Sequence, residues 1–183
     1  AFVLPDGIWR IRPDGSSRAE RLTKDSDLPL PWSFSPDGRF LLVAVKGSSI
    51  ASNNLYTMRV STDPARAEAR QLYVEDYTAD GAVFSPDGRW VAYHSEADGS
   101  ARVYVQPFPG PGLRVQVSRG WGQQPRWSRG KNELLYQGGD RRIMVAPYEV
   151  RGATFVPGEP RPWANERSYD IAGIPTYDVT PDG

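Results

Sequence analysis

The sequence contains no cysteine and a single histidine among 183 residues. The first absence excludes disulfides, thiolate metal sites and a cysteine nucleophile. The second excludes a histidine-rich zinc site. Charge of either sign is not in excess, since 22 Lys and Arg face 22 Asp and Glu. Nucleic-acid and anionic-membrane surfaces both need a basic surplus, so neither partner is expected. No apolar run approaches the ~18 residues of a membrane-spanning helix. The N-terminal stretch Ala1-Phe2-Val3-Leu4-Pro5-Asp6-Gly7 has neither the basic flank nor the apolar core of a signal peptide. It also lacks an initiator Met. The chain is therefore expected to be a piece of something longer, with any targeting signal elsewhere.

Glycine (18) and proline (17) are plentiful, and aromatics make up 11%. A soluble globular chain of many short strands joined by tight turns has that composition. Its length fits one domain.

A repeat organises the chain. Phe34-Ser35-Pro36-Asp37-Gly38-Arg39-Phe40 recurs as Phe84-Ser85-Pro86-Asp87-Gly88-Arg89-Trp90. Val179-Thr180-Pro181-Asp182-Gly183 begins it again, and Trp127-Ser128-Arg129-Gly130-Lys131-Asn132-Glu133 is a degenerate copy. The Ser or Thr positions 35, 85, 128 and 180 are separated by 50, 43 and 52 residues. Each motif reads as a β-hairpin turn. Proline presets φ at the first central position, aspartate suits the second, and glycine takes the left-handed conformation. Asp37, Gly38, Asp87, Gly88, Asp182 and Gly183 are thus structural turn residues. The third copy has lost this chemistry. An irregular turn is expected there, with Gly130 or Asn132 to supply the positive φ.

After each turn come further strand-like runs, such as Phe40-Leu41-Leu42-Val43-Ala44-Val45, then Asn54–Val60, then Arg70–Val74. Counting the strand that enters the turn, each repeat has four strands, A to D. The last D strand is poor and is placed near Thr154-Phe155-Val156. Strand B is apolar on both faces, as in a sheet covered on both sides. Repeats of about 40–50 residues with four short strands each are the signature of a β-propeller. The fold class is therefore all-β, with about four blades' worth of strands. The division is a partial blade over 1–24 (strands B, C and D), blades over 25–74, 75–118 and 119–164, and a lone strand A over 165–183. A closed small ring and a segment of a larger propeller both fit this count. An open segment would expose an apolar blade face and self-associate.

Ser-Pro-Asp-Gly-Arg followed by an apolar strand resembles the repeat core of TolB-type, WD-repeat-like β-propellers of bacteria. Over residues 75–183 a narrower resemblance holds. Val103-Tyr104-Val105-Gln106-Pro107-Phe108-Pro109-Gly110-Pro111-Gly112, Gln123-Gln124-Pro125-Arg126-Trp127-Ser128, Glu133-Leu134-Leu135-Tyr136 and Met144-Val145-Ala146-Pro147 are similar to segments of propellers C-terminal to bacterial Ser/Thr protein kinases. The resemblance implies an extracytoplasmic sensing or interaction domain, periplasmic or beyond.

Few residues point to chemistry. His94 ends a strand B and has no second histidine or cysteine to help it hold a metal. The turn serines precede prolines and form no Gly-x-Ser-x-Gly elbow. Lys24-Asp25-Ser26-Asp27 lacks the remaining ligands of a calcium loop. No catalytic residue, cofactor or metal is expected, and the chain reads as non-enzymatic. Trp32, Phe34, Phe84 and Trp127 occupy corresponding strand A positions and read as packing between blades. Tyr77, Trp121, Gln123, Gln124 and Tyr169 fall in or beside the loops entering strand A, which converge on one rim. They are the expected ligand contacts, for a protein, peptide or glycan. The alternative is the substrate-gating propeller of a prolyl-oligopeptidase-type serine peptidase, with its catalytic domain outside this chain.

Overall fold

The computed structural model describes residues 1–23, 30–46, 53–61, 78–110, 112–168 and 177–180, and the backbone of 69–73. Among these residues all regular structure is β-strand, and no helix is long and apolar enough to cross a membrane. The strands form four antiparallel sheets. The first sheet joins β1 (Phe2–Leu4), β2 (Gly7–Arg10) and β3 (Glu20–Arg21). The second joins β4 (Leu30–Phe34), β5 (Phe40–Lys46), β6 (Asn53–Arg59) and β7 (Ala69–Tyr73). The third joins β8 (Ala79–Phe84), β9 (Trp90–Ser95), β10 (Arg102–Pro107) and β11 (Val115–Gln116). The fourth joins β12 (Gly122–Trp127), β13 (Glu133–Gly138), β14 (Arg142–Arg151), β15 (Thr154–Pro157) and β16 (Arg161–Arg167). These are the blades of a propeller.

Successive side chains of a strand point to opposite faces, and here each face meets a different neighbouring sheet. In β5, Leu41 and Val43 pack with Ile8, Leu22 and Met58. Leu42 and Ala44 pack the other way, with Leu55, Ala82, Phe84, Val91 and Tyr93. In β9, Trp90 and Ala92 pack on towards Trp127, Leu134 and Tyr136. In β13, Leu135 joins Ile143 and Val145 beneath Tyr177 and Val179. The continuous apolar runs of the B strands are therefore two half-patterns interleaved, one for each flanking blade.

The fourth sheet departs from the expected plan. Its D position, beside β14, belongs to β16, and the expected strand at Thr154–Val156 does something else. The ten-residue β14 runs past the sheet and pairs with β15 in an arm, Val150 opposite Phe155 and Tyr148 opposite Pro157. Gly152 turns the arm at φ 64°. Phe155 folds back onto Trp90, Trp127 and Tyr148, with ring centroids 5.4, 5.9 and 4.9 Å away. The strand period is the same for an arm as for a blade, so periodicity does not separate them. The sequence of β16, Arg161-Pro162-Trp163-Ala164-Asn165-Glu166-Arg167, reads as a loop because it is an outer strand. Edge strands tolerate proline and charge.

The first sheet has three strands, and no described residue supplies a fourth. Tyr177 and Val179 cover the outer face of the fourth sheet, as Phe34, Phe84 and Trp127 cover the sheets before them. No sheet pairing closes a ring among the described residues, an arrangement that fits a partial propeller.

Candidate functional site

The first two A–B turns follow the expected chemistry closely. Ser35 donates its hydroxyl to Asp37 Oδ1 (2.6 Å), and the same oxygen accepts from the Arg39 N–H (3.0 Å). The Phe40 N–H donates to Ser35 Oγ at 2.9 Å. The second turn repeats this with Ser85, Asp87, Arg89 and Trp90 at 2.6, 3.1 and 3.0 Å. Gly38 and Gly88 both have φ 70°. The hydrogen bond from Ser35 is the main cause holding the Asp37 carboxyl below its ordinary range. For Asp87, partial burial works against the charge, but donors from Ser85 and Arg89 outweigh it and its pKa is also lowered.

The third turn keeps the span and loses the interior. The Ser128 N–H still donates to the Glu133 carbonyl (3.0 Å), as Ser35 does to Phe40 (2.9 Å). Neither Gly130 nor Asn132 adopts a positive φ, contrary to expectation. The Lys131 N–H donates to Ser128 Oγ (3.2 Å), and the Glu133 N–H takes the Lys131 carbonyl (2.9 Å). Bonding the hydroxyl one way and the backbone another closes the loop without a left-handed residue.

Strands β4, β8 and β12 lie side by side as the innermost strands, with β8 touching both others. Single cross-blade bonds tie them. The Phe84 N–H donates to Ser33 Oγ (3.4 Å), and Trp127 Nε1 donates to the Val83 carbonyl (3.2 Å). Tyr177 donates its hydroxyl to the Gln124 carbonyl (2.5 Å). At their A–B end these strands surround a cavity of about 620 Å³. One repeat position supplies Ser33, Val83, Arg126 and Asp178 to its lining, and another supplies Pro36, Pro86 and Arg129. A smaller recess of about 360 Å³ adjoins it, between Pro86 and Asp87 on one side and Arg129, Lys131 and Tyr148 on the other. A further recess lies by the first sheet, where Arg10 and Glu20 pair at 2.7 Å.

The opposite, D–A end is occupied differently. Trp121 stands on the rim with 36% of its surface exposed. Gln123 instead donates to Gln137 Oε1 (2.6 Å), Gln137 to Ser168 Oγ (2.5 Å), and Ser168 to the Arg141 carbonyl (3.0 Å). This chain of amides braces β12, β13 and the end of β16. The structure places Gln124 inside, 1% exposed at φ 53°, so its side chain is not part of the rim. The strand register shifts there, as it does at the corresponding Gly81 (φ 65°) in β8. At Gly81 a Cβ would lie 2.9 Å from His94 Nδ1, so glycine is required for space as well as for φ. Tyr77, Tyr169, Asp182 and Gly183 lie outside the described residues.

His94 pairs in register with Asp80, and its Nδ1 is buried against Gly81. Burial lowers the His94 pKa to about 4. Burial likewise raises the Asp80 carboxyl, and repulsion from Glu96 adds to it, against an opposing hydrogen bond from Asn53 Nδ2 (2.8 Å). Both groups are held neutral more readily than in water, and neither lines the axial cavity. Arg126 and Arg129, which do line it, escaped the sequence reading. Aligning the repeats on the turn serine exposes them, since Arg126 stands where Ser33 and Val83 stand and Arg129 where Pro36 and Pro86 stand.

No family model matches this chain, and no curated protein matches it. Solved structures do. The putative TolB from Agrobacterium tumefaciens is similar with a TM-score of 0.58 at 17% identity, over 81% of this chain and 55% of its own. TolB from Acinetobacter baumannii gives 0.55 at 21%, over 79% of this chain and 35% of its own. The fold is that of a TolB-type β-propeller. Kuenenia stuttgartiensis hydrazine synthase is also similar, at 0.50 and 15% identity over 72% of this chain and 42% of its own. The chain thus spans about half of the first TolB structure and about a third of the second. At these identities the likeness concerns the TolB fold and extends no further.

Proposed function

We propose that this TolB-like segment is a non-catalytic recognition module that takes its ligand in the axial cavity, at the A–B end of β4, β8 and β12. The observation that carries this reading is the cavity itself. Its volume of about 620 Å³ falls within the range of small-ligand and short-peptide sites. Its wall mixes the apolar edges of Val83 and Trp127 with Ser33, Arg126, Arg129 and Asp178. A guanidinium offers only donors and a carboxylate only acceptors, so these groups bind and orient a ligand of matching polarity. His94, whose pKa burial lowers to about 4, and Asp80, whose carboxyl burial raises, belong to the other end of the strands. Trp121 remains exposed there as a second contact for a larger partner. A sensing role outside the cytoplasm is what the sequence resemblance of residues 75–183 to kinase-linked propellers implies.

The test is a random octapeptide array probed with the folded chain. A subset of peptides should bind, and Ser33→Tyr, which fills the cavity, should abolish that binding while circular dichroism stays unchanged. Failure of every peptide to bind, or equal binding by a folded Ser33→Tyr, would overturn the reading.

A further inference from the structure

We infer that the ligand class is an acidic peptide, whose carboxylate is received by Arg126 and Arg129; the inference rests on the axial cavity being the binding site. The repeat supplies its own control. At the position lining the cavity wall, the second and third sheets carry Ser33 and Val83, and the fourth carries Arg126. At the turn, the second and third carry Pro36 and Pro86, and the fourth carries Arg129. The cavity is therefore cationic on one wall only.

That wall coincides with the turn that has given up its aspartate, its proline and its left-handed glycine. A departure from local rules without a structural gain marks a site held for another reason. What the third turn has instead is Arg129 and Lys131, both exposed, and neither makes an ion pair among the described residues. Arg126 donates Nη1 to the Pro125 carbonyl (2.8 Å), which holds its guanidinium against the wall. A guanidinium presents a planar fork of donors that matches a carboxylate.

Asp178 narrows the class. It lines the same cavity, and its Oδ1 accepts the Val179 N–H at 2.9 Å. A second carboxylate oxygen remains to accept from a ligand. A compact polyanion such as phosphate spreads its charge over every oxygen, so it meets the Asp178 carboxylate with like charge whichever way it turns, and its P–OH groups do not remove that repulsion. A peptide carries both a side-chain carboxylate and backbone N–H groups, and so satisfies both walls.

The experiment is calorimetric titration of the 183-residue chain at low ionic strength with N-acetyl triglutamate, N-acetyl trilysine and inorganic phosphate. Triglutamate should bind and trilysine should not. Arg126→Gln and Arg129→Pro should each weaken triglutamate by about 10- to 100-fold, the worth of a charge-assisted hydrogen bond. Arg129→Pro restores the residue found in the first two turns, so it should melt no lower than the parent and stays informative if Arg126→Gln fails to fold. Asp178→Asn should weaken triglutamate less and admit phosphate. Undiminished binding by Arg129→Pro, or phosphate competing with triglutamate in the parent chain, overturns the inference. If array peptides bind and Ser33→Tyr blocks them while triglutamate does not bind, the acidic-peptide assignment falls and the recognition module stands. If no peptide of any charge binds, both fall.

Discussion

Two A–B turns of this propeller are built alike and the third is not, although all three span the same five residues between strands. Ser35 and Ser85 each sit at the centre of a small network. The hydroxyl donates to an aspartate, accepts from the first residue of the next strand, and the aspartate accepts a further N–H. Ser128 accepts one N–H, from Lys131. The span between the strands is fixed by the ladder bond from the serine N–H, which all three turns retain. The interior of the turn is thus free to vary, and the variation brings Arg129 to the cavity and Lys131 to the recess beside it. A repeat separates what the fold requires from what a site requires, because the fold's requirements recur.

The largest effect expected from this contrast is on the serines. Ser85 is 1% exposed, and Ser85→Ala leaves the Trp90 N–H without its partner and takes one of three donors from Asp87, which keeps those of Arg89. It should cost about 2 kcal/mol, the penalty for orphaning a buried polar group. Ser128→Ala removes a single acceptor and should cost about 1 kcal/mol or less. Chemical denaturation of both variants measures the difference, and equal losses would mean that the aspartate network adds nothing.

The glycines give the next contrast. Gly88→Ala puts a Cβ at φ 70°, a left-handed conformation costing about 1–2 kcal/mol. Gly130 has no positive φ, so Gly130→Ala should be neutral or stabilise by up to about 1 kcal/mol through the unfolded chain. A Gly130→Ala variant that melted well below the parent would contradict the geometry of the third turn.

Replacing Arg129, Gly130 and Lys131 together by Pro, Asp and Gly converts the third turn to the form of the others. Stability should rise by about 1 kcal/mol, within the usual gain from turn optimisation. Binding of triglutamate should fall below detection. Increased stability with unchanged binding would uncouple the turn from the site.

The blades were legible in the sequence because their two requirements leave opposite marks. Left-handed turns demand glycine at fixed spacing, and doubly covered strands demand unbroken apolar runs such as Leu41–Val45. The D position of the fourth blade was not legible, because an outer strand needs no apolar face and Arg161–Arg167 has almost none. Gln123 and Gln124 were misleading for a related reason. An amide looks the same in sequence whether it faces a ligand or bonds to Gln137, and only the register shift in β12 turns Gln124 inward. Arg126 and Arg129 were visible by aligning the repeats, but their meaning depends on β4, β8 and β12 sharing a cavity, which no single repeat reveals.

The smallest effect separates the turns by pH. In the folded chain Asp37 and Asp87 have lowered pKa values. A depressed carboxyl binds its proton less readily folded than unfolded, so its stabilisation is fully present above the unfolded value near 3.8 and is lost as pH falls below that through the folded value. The third turn has no carboxylate and contributes nothing to this loss. Melting temperatures at pH 5 and pH 2.5 should therefore converge slightly in Asp87→Asn relative to the parent chain, because the variant starts lower at pH 5 and has one fewer carboxylate to protonate. The shift should be a few degrees at most, since both groups are mainly solvent-exposed and screened. Converting the third turn to Pro-Asp-Gly should widen the gap between the two pH values instead, by adding a third depressed carboxyl. An unchanged gap in both variants would mean that the Ser–Asp hydrogen bond does not distinguish the folded from the unfolded chain, and the contrast between the turns would then rest on backbone conformation alone.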